Sequence, residues 1–457
     1  MLNIFLSVIL MLFIVFGSAY YIYGKDKSKE KLMKKLKLQE QMDAEKLQDE
    51  KKKKKKKSSS IKTNKLGGGK KKKKREPLPS HEKFSHAIKG HSQNIINFAV
   101  SPNKKWIATS SQDQSVRVTE LEDTMNNTSS GRVPLFFRIN MEGDTITSLS
   151  WAADSLTLIG SSESSREVYF FRMRQKKNSG EKSSSSGFKY ELIELKKRRF
   201  NTYHSGIIQS CSIDTAYSSP IIVTGCDCKS DKYFYVWDSK NGTKIGQVPN
   251  KSCSYGGAIL STDGHFICNA STKNSEVKIF EVVRKKEKGS AEPVFQNVSN
   301  KHVMVLAASA HKSNVNAVCF GPNDAGVASG ISDRVVTAGE DGYLVLWDID
   351  VRFDLKADPE ILSKKNVGSP ISKCTMSLNG KKIACVDDSS NIYIYNCEVR
   401  DSNISSRERV LKEVLVINND GSTGGKIKQI AFSDYEGNKM AILNENKKQL
   451  FVWNCNC

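Results

Sequence analysis

Residues 341–347 of this 457-residue chain read Asp-Gly-Tyr-Leu-Val-Leu-Trp, and this stretch decides the fold. Asp341 and Gly342 are typical of a tight turn. The third and fifth residues after Asp341, Leu344 and Leu346, are apolar with a period of two, as they are in every copy of the frame, and Trp347 closes it. This pattern predicts a turn followed by a strand that is buried on one face. The same frame occurs six more times, at Asp113–Thr119, Ser165–Phe171, Asp231–Trp237, Asn274–Phe280, Ser389–Tyr395 and Lys447–Trp453.

Seven copies of one frame indicate a repeat array in which each copy supplies one small sheet. We therefore predict an all-β, seven-bladed β-propeller over residues 80–457. The last frame ends at Trp453, which leaves too few residues before Cys457 for a further strand. Because an unpaired strand edge would otherwise remain, we expect the segment Phe84–Lys89 to supply the outer strand of the last blade.

A buried polar relay is expected inside the best-preserved copies. A loop His, a strand Ser or Thr, the turn Asp and the strand Trp can satisfy one another's hydrogen bonds, whereas a lone buried polar group is costly. In the first copy, Thr119 stands where the Trp would be. The predicted relay residues are His91 and Asp113 in the first copy, His204, Asp231 and Trp237 in the third, His311, Asp341 and Trp347 in the fifth, and Trp453 in the seventh.

The frame and its upstream His resemble the WD-repeat (WD40) family. A closer resemblance, to an endoplasmic-reticulum membrane branch of that family, rests on the stretches Asp341–Leu362, Val277–Val282 and Lys89–Ile95. The resemblance implies a scaffold that binds proteins through its propeller faces and loops. It also implies partners in endoplasmic-reticulum stress signalling, such as a stress-activated kinase, together with ribosomal or mRNA contacts.

The N-terminal residues 1–24 contain no charged side chain. About 22 of them are apolar enough to cross a bilayer core of about 30 Å, and Tyr20, Tyr21 and Tyr23 suit an interfacial aromatic belt. We predict a transmembrane signal-anchor helix. The alternative is a cleaved signal peptide, because Gly17-Ser18-Ala19 offers small residues for cleavage, although no basic residue precedes the apolar core.

Residues 25–79 form a Lys-rich juxtamembrane linker whose composition predicts disorder from Lys51 onward. Residues 25–76 hold 23 Lys and Arg against 8 Asp and Glu, a net +15 of the chain's +22. The positive-inside rule then places the propeller in the cytosol. The tract can act as a spacer that contacts anionic lipid, bind RNA phosphates without sequence preference, or serve nuclear import. Its candidate binding residues are Lys51, Lys54, Lys57, Lys70, Lys74 and Arg75.

The chain is not expected to be an enzyme, since no nucleophile and base stand out together. No cofactor is expected, and no metal, because neither Cys226-Asp227-Cys228 nor Cys455-Asn456-Cys457 has a second pair or a His at zinc spacing. The chain has eleven cysteines. Their odd number and the absence of disulfide-like spacing suit a reducing cytosol.

The residues favour a non-catalytic, membrane-tethered scaffold with its propeller in the cytosol. The resemblance implies that the membrane is that of the endoplasmic reticulum and that the scaffold acts in stress signalling and translation control. One alternative is a soluble nuclear or nucleolar protein of ribosome assembly that binds RNA through the basic tract. Another is a luminal or secreted propeller. That last alternative would be served by Asn-x-Ser/Thr matches, among them those at Asn126, Asn127, Asn241, Asn269, Asn297 and Asn403.

Overall fold

The computed structural model describes most of the predicted propeller. The described residues are 78–121, 136–175, 190–196, 199–214, 220–226, 231–250, 257–261, 263–269, 275–285, 294–299, 301–306, 310–322, 334–349, 359–399, 409–419 and 424–456. They all lie in the structural unit Glu76–Cys457. The predicted anchor, and the basic linker up to residue 77, lie outside them. Among the described residues, no helix is long and apolar enough to span a membrane.

The described residues form 30 strands. In chain order these are β1 (Phe84–Ile88), β2 (Ile95–Val100), β3 (Trp106–Ser111), β4 (Ser115–Glu120), β5 (Phe136–Asn140), β6 (Ile146–Trp151), β7 (Thr157–Ser162), β8 (Glu167–Gln175), β9 (Tyr190–Glu194), β10 (Phe200–Asn201), β11 (Ile208–Ile213), β12 (Ile221–Cys226), β13 (Tyr233–Asp238), β14 (Lys244–Pro249), β15 (Ala258–Leu260), β16 (Phe266–Asn269), β17 (Val277–Lys285), β18 (Val294–Val298), β19 (Met304–Leu306), β20 (Val315–Gly321), β21 (Arg334–Gly339), β22 (Tyr343–Asp348), β23 (Glu360–Asn366), β24 (Ile371–Met376), β25 (Lys382–Asp387), β26 (Ile392–Val399), β27 (Arg409–Ile417), β28 (Ile427–Phe432), β29 (Lys439–Asn444) and β30 (Leu450–Asn454).

The strands form seven antiparallel sheets, which are the seven blades predicted from the repeat count. Blades 1, 3, 5 and 6 are the four-stranded sheets β2–β5, β11–β14, β20–β23 and β24–β27. Blade 2 has β6–β8 with both β9 and β10 paired to β8, and blade 4 has β15–β17 with both β18 and β19 paired to β17. From blade 5 through blades 6, 7, 1, 2 and 3 to blade 4, the first strand of each blade contacts the first strand of the next, so these strands form the inner ring of the propeller.

Each of the seven frames supplies the third strand of its blade, as the pattern predicted: β4, β8, β13, β17, β22, β26 and β30. The expectation that these strands are buried on one face only was wrong. In β22, for example, Leu344 and Leu346 are fully buried, and so are Val345 and Trp347 on the opposite face. The reason is that each blade packs between two other blades, so both faces of its third strand are covered.

The hydrophobic core is a ring of seven clusters, each lying between two neighbouring blades. Blades 5 and 6, for example, enclose Leu344, Leu346, Ile383 and Tyr395. Blades 7 and 1 enclose a cluster that contains Phe98, Ile107 and Val452. The clusters follow one another around the ring, so each blade has an apolar cluster on both faces. Burial of this apolar surface stabilises every blade from both sides.

Blade 7 is completed by the N-terminal strand, and this confirms the predicted closure. Its strand order is β1-β30-β29-β28, and β1 pairs antiparallel to β30. Phe84 in β1 lies edge-on to Phe451 and Trp453, with ring centroids 5.9 and 5.8 Å apart. The first and last strands of the propeller are therefore held together by hydrogen bonds and by aromatic packing.

Candidate functional site

Blade 3 contains a relay of four side chains behind its His loop. His204 Nδ1 lies 2.9 Å from Asp231 Oδ2, and His204 Nε2 lies 2.9 Å from Thr224 Oγ1. The indole of Trp237 donates from Nε1 to the same threonine oxygen at 2.8 Å. The sequence predicted three of these residues by number but gave no number for the threonine.

Blade 5 repeats this geometry. His311 Nδ1 lies 3.2 Å from Asp341 Oδ1, His311 Nε2 lies 2.8 Å from Thr337 Oγ1, and Trp347 Nε1 donates to Thr337 at 2.9 Å. Asp341 also accepts the backbone N–H of Lys312 at 2.7 Å. The relay therefore joins the His loop to the turn between the second and third strands of the blade.

Blade 1 has the relay without its indole. His91 lies 3.1 Å from Asp113 Oδ2 and 2.8 Å from Thr109 Oγ1. Thr119 stands at the Trp position, and Ser115 donates from its hydroxyl to Asp113 at 2.5 Å. The hydrogen bonds of His91 with Asp113 and Thr109 are thus kept in a blade without the Trp.

The proton arrangement of the three relays follows from burial. Burial outweighs the carboxylate next to His91 and lowers the pKa of that imidazole to about 4, and burial likewise lowers the pKa of His204 and His311. A neutral ring that carries its proton on Nδ1 donates to the Asp and accepts the Thr hydroxyl at Nε2, which leaves a threonine lone pair for the Trp N–H. In blades 3 and 5 the histidine nitrogens, the threonine hydroxyl and the Trp N–H then all have partners.

Each relay carboxylate is correspondingly held as an anion. Burial alone would raise the pKa of Asp231, but hydrogen bonds from Cys226, Ser205 and His204 outweigh it and lower that pKa to about 2. The pKa of Asp113 is likewise held well below its usual range. The neutral imidazole and the carboxylate anion, both hydrogen-bonded, therefore hold the His loop against the turn that carries the Asp.

Trp453 takes the Trp position of blade 7 but does not join a relay. It is fully buried and pairs with Met440 across the sheet. In blades 3 and 5, the relay threonine lies two residues after the residue that pairs with the Trp. Ile442 occupies this position in blade 7. Trp453 Nε1 accordingly has no hydrogen-bond partner among the described residues. The prediction that placed Trp453 in a relay is corrected to a packing role.

Blades 2 and 6 lack the loop His and use other aspartates that the sequence did not single out. In blade 2, Asp144 accepts the backbone N–H groups of Ser164 at 3.0 Å and Ser165 at 3.3 Å. In blade 6, Asp387 accepts hydrogen bonds from Asn391 and from Ser369. The loops are therefore tied by a carboxylate in these blades as well, although it comes from a different position.

The residues His204, Cys226 and Asp231 form a group that could hold a metal ion, since one ligand atom of each lies within 4.8 Å of the others. The distances are those of hydrogen bonds, however. Asp231 Oδ2 lies 2.8 Å from Cys226 Sγ and 2.9 Å from His204 Nδ1. Tetrahedral zinc bonds of about 2.0–2.3 Å would hold such ligand atoms about 3.3–3.5 Å apart. The group fits a hydrogen-bonded carboxylate better than a metal centre.

Three exposed apolar side chains lie within three residues of His204 or Asp231 in the chain. Tyr203 is 83% exposed, although its φ is +55°, a left-handed conformation that costs a residue with a side chain free energy. Ile207 in the same loop and Tyr233 at the start of β13 are 37% exposed each. We call Tyr203, Ile207 and Tyr233 the blade 3 surface.

The loop that carries Tyr203 is held rigidly on both sides. Arg166 donates from Nη1 to the backbone carbonyls of His204 at 3.0 Å and Ser205 at 3.1 Å. The Tyr203 N–H donates to Asn201 Oδ1 at 2.7 Å. An aromatic side chain presented from a fixed loop loses little conformational entropy on binding, which is typical of protein-binding surfaces. The blade 3 surface is therefore the candidate docking site in the described residues.

The basic tract cannot be placed against this surface. Lys51, Lys54, Lys57, Lys70, Lys74 and Arg75 all lie outside the described residues. The Cys226-Asp227-Cys228 pair is described only at Cys226, and Cys455 is buried at the end of blade 7.

Comparison with known proteins agrees with the fold. The family described as "WD domain, G-beta repeat" matches residues 82–119 and 301–348. The first match begins with β1, which belongs to blade 7, and the second contains β19, which pairs within blade 4. The sequence repeat is thus offset by one strand from the structural blade. The chain is a seven-bladed β-propeller, and the two matched segments are WD40 repeats.

Two curated proteins are similar to the chain over most of its length. Transducin beta-like protein 2 of Homo sapiens is 25% identical over 331 residues, which cover 70% of this chain and 65% of that protein. Transducin beta-like protein 2 of Mus musculus is 24% identical over 329 residues, or 70% of this chain and 66% of that protein. The match thus spans about two thirds of the length of these relatives.

Proposed function

We propose that the chain is a non-catalytic scaffold, tethered to the endoplasmic-reticulum membrane with its propeller in the cytosol, that docks protein partners in stress signalling and translation control. A stress-activated kinase and the ribosome are the partners that the resemblance suggests. The observation that carries the docking role is the exposed Tyr203 in a strained but firmly held loop. The mechanism is co-localisation, because a tether raises the local concentration of whatever the propeller holds.

The membrane part of the proposal is supported by the charge pattern of the sequence. An uncharged start of 24 residues precedes a linker that carries +15. A single span with so strong a basic flank favours a cytosolic propeller. The propeller itself accounts for little of the basic charge, so electrostatic contacts with lipid or RNA belong to the linker.

Protease protection in sealed microsomes tests this topology. The full chain carries a tag at its C-terminus, and the vesicles are treated with protease before and after detergent. We expect the tag to be digested in intact vesicles and the protein to resist carbonate extraction. A tag protected until detergent is added would place the propeller in the lumen and would support the luminal alternative. A nuclear, carbonate-soluble protein would support the ribosome-assembly alternative.

The docking role is tested separately by crosslinking in cells. Tyr203→Ala removes the most exposed aromatic ring of the blade 3 surface. Tyr435→Ala is the matched control, since Tyr435 is 46% exposed and lies between β28 and β29 of blade 7. We expect at least one crosslinked protein to be lost in the first variant and kept in the second. An identical set of crosslinked proteins in both variants would remove the blade 3 surface from the proposal.

A further inference from the structure

Two cysteines from neighbouring blades meet at the inner ring of the propeller. Cys319 lies on β20, the first strand of blade 5, and Cys374 lies on β24, the first strand of blade 6. Their Sγ atoms are 3.9 Å apart. The two residues are 55 positions apart in the chain, so their spacing gave no sign of a pair.

The surroundings of the pair permit a bond between the two sulfurs. Both cysteines are free thiols of intermediate exposure. They pack at the margin of the apolar cluster between blades 5 and 6. A disulfide needs the sulfurs at about 2.05 Å and the Cα atoms roughly 4.4–6.8 Å apart. Closing the remaining gap therefore requires side-chain rotation and a small approach of two strands that already touch.

We propose that Cys319 and Cys374 are an oxidation site that forms a reversible disulfide between blades 5 and 6 when the protein meets a small-molecule disulfide. The Cys319 thiolate attacks one sulfur of that molecule, whose S–S bond breaks and releases one small thiol. The Cys374 thiolate then attacks the Cys319 sulfur of this mixed disulfide and releases the second small thiol. Two protein thiols are oxidised, and one small disulfide is reduced to two thiols.

The order of these steps follows from the environment of each thiol. The contact with Cys319, together with burial, raises the pKa of Cys374 well above its usual range, so its thiolate is scarce. Cys374 is therefore assigned the second attack, on the mixed disulfide that lies next to it. In the reducing cytosol of the proposed function the bond would be transient, and in an oxidising compartment it would persist.

Cys385 is the rival partner for Cys374. It lies on β25 directly across from Cys374 in the antiparallel register, within the same sheet. Cys385 is fully buried, however, and burial raises the pKa of its thiol beyond the usual range. A Cys374–Cys385 disulfide would lie within blade 6 and would not join two blades. Identifying the cysteine that bonds to Cys374 therefore tests the proposal.

The test is disulfide mapping on the full chain. The folded protein is treated with oxidised glutathione, the remaining thiols are alkylated, and the protein is digested without reductant. We expect a crosslinked peptide that joins Cys319 to Cys374 and disappears on reduction. The crosslink should persist in Cys385→Ser and vanish in Cys319→Ser. The oxidised wild type should melt on the order of 5 °C above the reduced protein, because a loop of 55 residues is closed.

Three outcomes would overturn the proposal: a Cys374–Cys385 crosslink, glutathione left singly on Cys319 or Cys374 without a crosslink, or an oxidised protein that melts no higher than the reduced one. Cys397→Ser is the matched control, since Cys397 is a partly exposed thiol of blade 6 on β26. It should leave the crosslink unchanged. If Cys319→Ser does not fold, the map of the wild-type protein still decides between these outcomes.

Discussion

Whether the Trp of a blade joins a relay depends on one threonine in the second strand of that blade. Thr224 and Thr337 each accept an indole N–H and face a histidine nitrogen, whereas Ile442 takes the corresponding place in blade 7 and leaves Trp453 without an acceptor in the described residues. The Trp residues of blades 5 and 7 are both fully buried. They therefore bury similar apolar surface but differ in one hydrogen bond, which makes them a natural pair for measurement.

We expect Trp347→Ala to lower the free energy of unfolding by about 3–5 kcal/mol, as the loss of a large buried aromatic does. Trp347→Phe should cost less, but it removes a hydrogen bond with a net value of about 0.5–1.5 kcal/mol. Trp453→Phe should cost less than Trp347→Phe, because it removes a buried N–H that has no described partner. Urea denaturation measures all three variants. Equal costs for the two Phe variants would contradict the assigned relay.

The relay histidines predict that stability depends on pH. The folded pKa of His91, about 4, lies below the ordinary value of 6.5. The unfolded chain therefore binds a proton more readily, and this contribution to stability is complete above pH 6.5 and is lost as the pH falls toward 4. For His91 the loss between pH 7 and pH 5 is on the order of 2 kcal/mol.

The measurement is the urea midpoint of the wild type and of His91→Gln at pH 7 and pH 5. The wild-type midpoint should fall on acidification, and the variant should be less stable at pH 7 but less sensitive to pH. Asp231 does not change stability between pH 7 and pH 5. Its folded pKa is lowered to about 2, so its contribution to stability is lost only as the pH falls below the ordinary value of 3.8. The same pH dependence in both proteins would exclude His91 as a source.

At the scale of the strands, the closure of blade 7 carries the most consequence. β1 comes from the N-terminal side of the propeller and covers the edge of β30. The apolar cluster between blades 7 and 1 includes Ile88 at the end of β1. Loss of one strand therefore exposes a sheet edge and opens a cluster that two blades share.

Replacing Phe84–Ile88 by an equally long Gly-Ser segment in the full chain should lower the thermal midpoint and make the protein prone to aggregate. Hydrogen exchange should increase in β30 first, because β30 loses the partner of its outer edge. The matched control replaces residues 62–66 of the linker in the same way. An unchanged midpoint in the β1 variant would contradict closure by this strand.

Much of this architecture could be predicted from the sequence, because the turn and the period-two pattern before Trp347 are local signals. The number of blades and the closing strand followed from counting frames. The relay threonines could not be numbered, since the strand that carries them has no distinctive motif. The burial of both faces of β22, and the approach of Cys319 to Cys374, depend on packing between blades, which no local pattern encodes.

At the scale of the whole molecule, the charge is divided between two regions with different physics. The linker holds +15 in residues 25–76, which leaves +7 for the remaining residues of the chain. A basic segment beside a membrane gains about 1 kcal/mol per Lys near an anionic surface. Attraction between the linker and anionic lipid would then add to the proposed tethering.

Substituting Lys51–Lys57 with Gln should weaken binding of the full chain to vesicles that contain phosphatidylserine, and should flatten the salt dependence of that binding. Cosedimentation at several salt concentrations measures both effects, with phosphatidylcholine vesicles as the neutral control. An unaltered salt dependence would leave the tract as a spacer. Competition by added RNA would indicate the alternative phosphate partner.

The pairing of β1 with β30 also limits when the propeller can close during synthesis. β1 is synthesised about 360 residues before β30, its only strand partner among the described residues. At roughly 5–20 residues per second, it waits about 20–70 seconds with its edge uncovered. During that interval blades 1 to 6 can assemble in order, but the ring stays open. If synthesis stalls within blade 7, the nascent chain therefore carries six complete blades and an unpaired β1. Such an incomplete ring is a substrate for chaperones.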